Sequence, residues 1–257
     1  MIKDFTFEIY DHLLDAGLDA GYEHIPVREY LTRDNLPDRF IIHRHDVDRK
    51  PQNALKMAKL ESEHDVHSTY YFRTIDKTLK PSLVTDIEQL GHEVGYHYED
   101  LDRANGDTDS AHDSFSNHIE NLRSHASIDT VCMHGNPLTP HDNRDMWINE
   151  RQFEEHDLLG EAYLSMDFVD VTYFSDTGRT WKDGSLKIKD KPVGESRKTL
   201  DIDSSLELID LVKTKDLDRL YILSHPNRWA DSTSEYYVER FKDTSINVAK
   251  RGISLLN

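Results

Sequence analysis

FIIHRHDVDRK, residues 40–50, is the stretch whose reading decides the fold. Phe40-Ile41-Ile42 is an apolar lead-in suited to a buried strand. The next eight residues then hold two His, two Asp, two Arg and a Lys. A strand that simply leaves the core does not concentrate charge in this way. A parallel strand does, because such sheets collect their active groups at the carboxyl ends of the strands. Pro51 comes next and opens a helical run, PQNALKMAKLESEH, in a first-turn position where its missing N–H does no harm.

The same alternation continues downstream. VHSTYYFR (66–73) is β-branched and aromatic, so it reads as a strand. PSLVTDIEQLG (81–91) places Leu83, Ile87 and Leu90 on one helical face and stops at Gly91. HEVGYHYE (92–99) is the next strand. DSAHDSFSNHIENLRSHA (109–126) aligns Ala111, Phe115, Ile119, Leu122 and Ala126 along one helical stripe, and TVCMHG (130–135) is a further strand. A strand–helix unit of roughly 25–30 residues predicts an α/β fold with a parallel sheet covered by helices. Residues 150–220 are less regular: EAYLSMDF, VTYFSDTGRTW and SLKIKD read as short strands and turns in a large excursion. YILSHPNRW (221–229) returns to a buried strand, and residues 232–252 form a closing helix. Residues 1–38 read as a helical preamble on the same domain, so the expectation is one domain over 1–257.

The chain has 257 residues, 37% of them hydrophobic and 31% charged, with a formal net charge of -18. That charge repels phosphate backbones and anionic membranes, which argues against nucleic-acid binding and favours a neutral or cationic substrate. The single cysteine, Cys132, excludes an internal disulfide and a thiolate metal cage. The amphipathic, acid-bearing N-terminus does not read as a secretory signal, and no run nears the roughly 18 apolar residues of a spanning helix. A cytoplasmic protein without membrane insertion is expected.

Side chains alternate along a strand, so Arg44, Asp46 and Asp48 share one face. Two carboxylates so placed repel unless a cation joins them. A divalent metal is one solution; pairing with Arg44, Arg49 or Lys50 is the other. GYHYED adds His97 and Glu99 on a common face, CMHGNP adds His134 beside Gly135, and LSHPNRW adds His225 before Pro226. Strand ends that each offer a His or an Asp point to a metal site.

Taken in order, RHDVDR, STYYFR, GHEVGYHYED, CMHGNP and LSHP resemble the polysaccharide deacetylase family of carbohydrate esterases, over residues 40–230 or so. The resemblance implies a distorted (β/α) barrel, a divalent metal held by Asp and His, and hydrolysis of an N-acetyl group on a sugar. The family's adjacent Asp-Asp is split here by Val47, so Asp46 matches the base and Asp48 the metal ligand. His97 matches the first metal His. Where the family has its second, this chain has Leu101; His134 is the preferred replacement and Glu99 the alternative. His225 matches the late His that serves as general acid. Turn-rich DNRDMW and SDTGRTW supply candidate substrate contacts in Arg144, Asp176, Arg179 and Trp181, with Trp181 placed to stack on a sugar ring. Pairing of Arg144 and Arg179 with carboxylates, to hold loops together, is the competing reading. Asp/His donors accept zinc, cobalt, manganese or nickel, zinc being the first choice. The expected substrate is an N-acetylated sugar or glycan intermediate. The alternatives are a hydrolase of another C–N bond and a non-catalytic glycan- or metal-binding relative.

Overall fold

The computed structural model describes residues 3–147, 151–196 and 198–254. Its strands are β1 (Glu23–His24), β2 (Phe40–Val47), β3 (Thr69–Phe72), β4 (Glu93–Tyr98), β5 (Ile128–Met133), β6 (Gly160–Glu161), β7 (Thr172–Ser175) and β8 (Arg219–Ser224). Every pairing is parallel. The ladder runs β6-β5-β4-β3-β2-β8-β7, with β1 beside β2. Read as a ring, this is chain order with one gap, between β6 and β7. Side chains span the gap. The Tyr163 hydroxyl lies 3.1 Å from that of Tyr173, and Tyr221 donates to the Ala162 carbonyl at 3.2 Å. The sheet is therefore a distorted (β/α) barrel.

Helices follow the strands as the alternation predicts. After α1 (Phe7–Asp19) and α2 (Val27–Thr32) come α3 (Pro51–Glu63), α4 (Pro81–Gln89), α5 (Asp100–Arg103), α6 (Thr108–Arg123), α7 (Arg151–Glu155), α8 (Ser205–Thr214) and α9 (Thr233–Ser254). The α6 face is the one read from its periodicity. Asp107 caps it by accepting from Ser110 N–H, and Ala111, Phe115, Ile119 and Leu122 are buried. Each of the larger three contributes about 1.5–3 kcal/mol of apolar burial. On α4 the buried residues are Val84 and Ile87, while Leu83 and Leu90 are only half-buried.

Three features differ from the sequence reading. SLKIKD forms turns, closed by Lys187 N–H to the Gly184 carbonyl and Lys191 N–H to that of Lys189; it finds no strand partner. Just beyond it, α8 is a full helix. Ser204 caps it by accepting from Glu207 N–H, and Leu208, Ile209, Leu211 and Val212 are buried. The preamble is helical but also contributes β1 to the sheet.

β2 lies between β3 and β8 and is buried at all eight positions. That explains how a strand so charged stays in the core: its polar side chains point into the barrel or toward α1 and α3, where each meets a partner. On the outer side, His45 Nε2 is 2.8 Å from Glu61, which also accepts from the hydroxyls of Tyr10 and Tyr70. Inside the barrel, Gly95 is required. A Cβ there would lie 2.3 Å from the Tyr71 ring and 2.7 Å from the Thr130 carbonyl.

Candidate metal and catalytic centre

The carboxyl ends of β2, β4, β5 and β8 meet at one place. Asp48, just past β2, has its Oδ1 3.4 Å from His97 Nε2 and 3.5 Å from His134 Nε2, and its Oδ2 3.8 Å from His225 Nε2. The His97 and His134 rings stand edge to face, with centroids 5.2 Å apart. Asp48 Oδ1 is buried without a hydrogen-bond partner. An ion with bonds of roughly 2.0–2.2 Å in tetrahedral geometry separates its ligand atoms by roughly 3.3–3.6 Å, which each of the two spacings at Asp48 Oδ1 matches taken singly. The outer partners fit too. His97 Nδ1 is 3.0 Å from the Cys132 carbonyl, which can only accept, so Nδ1 carries the proton and Nε2 offers a lone pair. His134 Nδ1 lies 3.3 Å from Glu99 Oε2 but makes no hydrogen bond. Glu99 therefore stands behind His134, where Arg73 and Arg103 also hold it.

The two Asp of HRHDVDRK are treated differently by the fold. Arg44 binds Asp46 through both carboxylate oxygens, Nε to Oδ1 at 2.8 Å and Nη2 to Oδ2 at 2.6 Å. Arg44 is itself fully buried, its guanidinium 4.3 Å from the centre of the Tyr163 ring. Asp48 has no such cation, since Arg49 turns to Asp243 and Lys50 to Glu235 and Glu239. Pairing with Arg44 answers for Asp46, while Asp48 faces the imidazoles of His97, His134 and His225. Burial pushes the Asp46 carboxyl up, but Arg44 and His97 outweigh it and leave it lowered. Burial likewise raises Asp48, and His97, His134 and His225 together hold it well below the usual carboxylate range. His97 is raised: burial lowers it, and Asp46 and Asp48 more than reverse that.

A second donor set overlaps the first. Among the described residues, Asp46, His97 and Cys132 are the one group whose ligand atoms all lie within 4.8 Å of one another; Asp48, His97 and His134 do not form such a group. His97 and Cys132 are register partners on β4 and β5, a proximity the sequence does not reveal. Burial pushes the Cys132 thiol well up, and both Asp46 oxygens are engaged by Arg44, so this set is poorer in ready donors.

His225 is held from the far side. Asp176 accepts from the His225 backbone N–H at 2.9 Å, His225 Nδ1–H at 2.6 Å, Arg228 Nη1 at 2.8 Å and Trp229 Nε1 at 2.9 Å. Burial raises Asp176, and His225 with Arg228 pull it far down. Asp176 thus fixes the His225 tautomer and leaves Nε2 toward Asp48; it does not line the cavity as a substrate contact.

The other predicted substrate residues lie elsewhere. Trp181 is fully buried, stacked on Phe5 with Nε1 bonded to Ser205 Oγ, so no ring face is free for a sugar. Arg179 pairs with Asp243 at 3.4 Å and lies over Phe5 and Tyr236. Arg144 pairs with Asp142 and donates to the Lys189 and Lys191 carbonyls beside a separate cavity. For both arginines the loop-holding reading describes what the side chains do. Gly135 packs closely on Lys189 and Asp190, where a Cβ would be 2.9 Å from Lys189 Cβ, and it also lines the cavity that holds the His97, His134 and His225 imidazoles. Leu101, at the place of the missing His, packs into the core.

Asp48, His97, His134 and His225 line a cavity of about 240 Å3, with Arg49, Arg73, Asp190, Arg228 and Ile246 among the other walls. A larger cavity, between α1 and the start of α9, contains none of these groups. No helix among the described residues is long and apolar enough to cross a membrane.

No protein-family model matches the chain, and no curated protein matches it. Solved structures do. BA3943 of Bacillus anthracis, described as a CE4 family pseudoenzyme, is 11% identical with a TM-score of 0.45, over 82% of this chain and 62% of that one. A Streptococcus mutans CE4 esterase is 14% identical with a TM-score of 0.44, over 92% and 90%. The peptidoglycan deacetylase PdaC of Bacillus subtilis is 13% identical with a TM-score of 0.37, over 83% and 97%. The chain spans less than two thirds of the BA3943 structure's length. What this chain resembles among solved structures is thus a set of CE4 proteins that includes both esterases and a pseudoenzyme.

Proposed function

We propose that the chain is a metal-dependent hydrolase that removes an N-acetyl group from an amino-sugar-containing substrate. One observation carries this reading. Asp48 Oδ1 is buried and unpartnered between His97 Nε2 and His134 Nε2, in the same cavity as a His225 already oriented by a carboxylate. A divalent ion held by Asp48, His97 and His134 supplies, when bound, a positive charge for the acyl oxygen and acidity for a water.

The remaining work falls to the chain's own side chains. Asp46, which matches the family's base and whose Oδ2 stands 3.6 Å from His97 Nε2, accepts a proton from the attacking water, with Arg44 keeping it ionised at the expense of its basicity. His225 carries its Nδ1 proton against Asp176, so Nε2 is the atom that gives a proton to the departing nitrogen. A base on β2 and an acid after β8 approach the substrate from different strands. The substrate remains an N-acetylated sugar or glycan intermediate.

The test is acetate release from N-acetylated sugars by zinc-loaded protein, repeated after chelation and after zinc is restored. Release that stops with chelator and returns with zinc supports the reading. A protein that binds zinc yet releases no acetate from any N-acetylated sugar is a non-catalytic relative.

A further inference from the structure

The cavity walls differ in charge from the rest of the chain. Overall the formal charge is -18, which by itself argues for a neutral or cationic substrate. The cavity lining instead contains three arginines, Arg49, Arg73 and Arg228, against two carboxylates, Asp48 and Asp190. Asp48 is committed to the metal in the reading above.

Each arginine has a carboxylate partner but donors to spare. A guanidinium presents five N–H groups in a fixed fork. Arg49 pairs with Asp243 at 3.4 Å, and its side chain is 28% exposed. Arg73 uses Nη2 on Glu99 while its Nε is buried without a partner. Arg228 uses Nη1 on Asp176, with Thr177 Oγ1 and His225 Nδ1 also within reach of that nitrogen, and its Nε too is buried without a partner. Planar forks of this kind match the oxygens of phosphate or carboxylate.

The dimensions favour a small occupant. At about 240 Å3 the cavity is below the roughly 300–1,000 Å3 of drug-sized pockets. Its walls come from the ends of β2, β3, β4, β5 and β8, from Asp190 in the excursion after β7, and from Ile246 on α9.

We propose that the site takes a single N-acetylated amino-sugar unit bearing one anionic group, phosphate or carboxylate, with the anion seated against Arg49, Arg73 and Arg228. This rests on the hydrolase reading for the chemistry but not for the binding.

Calorimetric titration of apo and zinc-loaded protein tests it. The ligands are N-acetylglucosamine 1-phosphate, N-acetylglucosamine 6-phosphate, an N-acetylated amino-uronic acid, neutral N-acetylglucosamine and its neutral tetramer. At least one anionic monosaccharide should bind ten-fold or more tightly than both neutral ligands, without zinc as well as with it. The advantage should shrink as salt rises. It should fall several-fold in Arg49→Gln, a rim position, and in Arg73→Lys, which keeps the charge but not the fork. Phosphate or uronate as the preferred arm identifies which anion is read. Equal or tighter binding of a neutral ligand, or an advantage seen only with zinc, overturns the proposal. Acetate release separates the two readings. Faster turnover of the neutral tetramer overturns the substrate class and leaves the hydrolase standing. Selective anion binding with no acetate from any ligand does the reverse.

Discussion

Replacing Asp176 by Asn removes one charge and changes little in shape, yet Asp176 is fully buried and accepts from four donors. Oδ1 serves His225 Nδ1 and Arg228 Nη1; Oδ2 serves the His225 backbone N–H and Trp229 Nε1. An amide keeps one oxygen and turns an NH2 toward the other pair. If the NH2 faces the neutral pair, two donors lose their acceptor, at about 1–3 kcal/mol each. If it faces Arg228, a nearly buried guanidinium is left uncompensated, at about 3–5 kcal/mol. The two orientations together span a loss of about 2–6 kcal/mol. With an m-value of about 2 kcal/mol/M, the urea midpoint at pH 7 falls by about 1–3 M. The pH dependence has a definite sign. Asp176 is depressed in the fold, so its contribution is present above the unfolded carboxyl value of about 3.9 and is lost as pH falls toward the folded one. The gap between parent and variant therefore narrows below about pH 3.9. A midpoint shift under about 0.25 M at pH 7, or a gap that stays constant down to pH 3, refutes the role assigned to this carboxylate.

Three further outcomes are expected. Trp181→Ala should destabilise by about 3–5 kcal/mol through a core cavity, read by urea unfolding, and leave zinc stoichiometry at one. Stability should also fall between pH 6.5 and 4 through His24 and His43, whose imidazoles are 3.0 Å apart. Burial lowers His24 to about 4 and takes His43 well below its ordinary value, so the unfolded chain binds protons there that the folded one refuses. His24 alone accounts for about 3 kcal/mol, and a flat urea midpoint across that window would show otherwise. Cys132→Ser should retain zinc in equilibrium dialysis; loss of zinc would move the ion to the Asp46–His97–Cys132 set.

The residues that were legible in the sequence are those governed by local periodicity. Two-residue alternation put Arg44, Asp46 and Asp48 on one face, and the strand–helix rhythm put His97, His134 and His225 at the same rim. The pairing of Asp176 with His225 is not a local property. It depends on β7 lying beside β8 with Ser175 opposite Leu223, a register fixed only when the barrel forms. Cys132 comes to His97 in the same way, through the pairing of β4 with β5. Trp181 was ambiguous for a different reason: a large aromatic in turn-rich sequence can stack on a ligand or plug a core, and here Phe5 and Trp229 from the two ends of the chain enclose it. Arg49, Arg73 and Arg228 lie just past strand ends, where nothing in the spacing distinguishes a cavity wall from a solvated surface.

The convergence of Asp48, His97 and His134 on one ion is tested most directly by zinc content after equilibrium dialysis. The parent protein should hold one zinc per chain, Asp46→Asn should keep it, and Asp48→Ala and His134→Ala should each lose most of it. Full zinc in Asp48→Ala, or its loss from Asp46→Asn, would contradict the assignment; zinc retained in His134→Ala would pass the third position to Glu99.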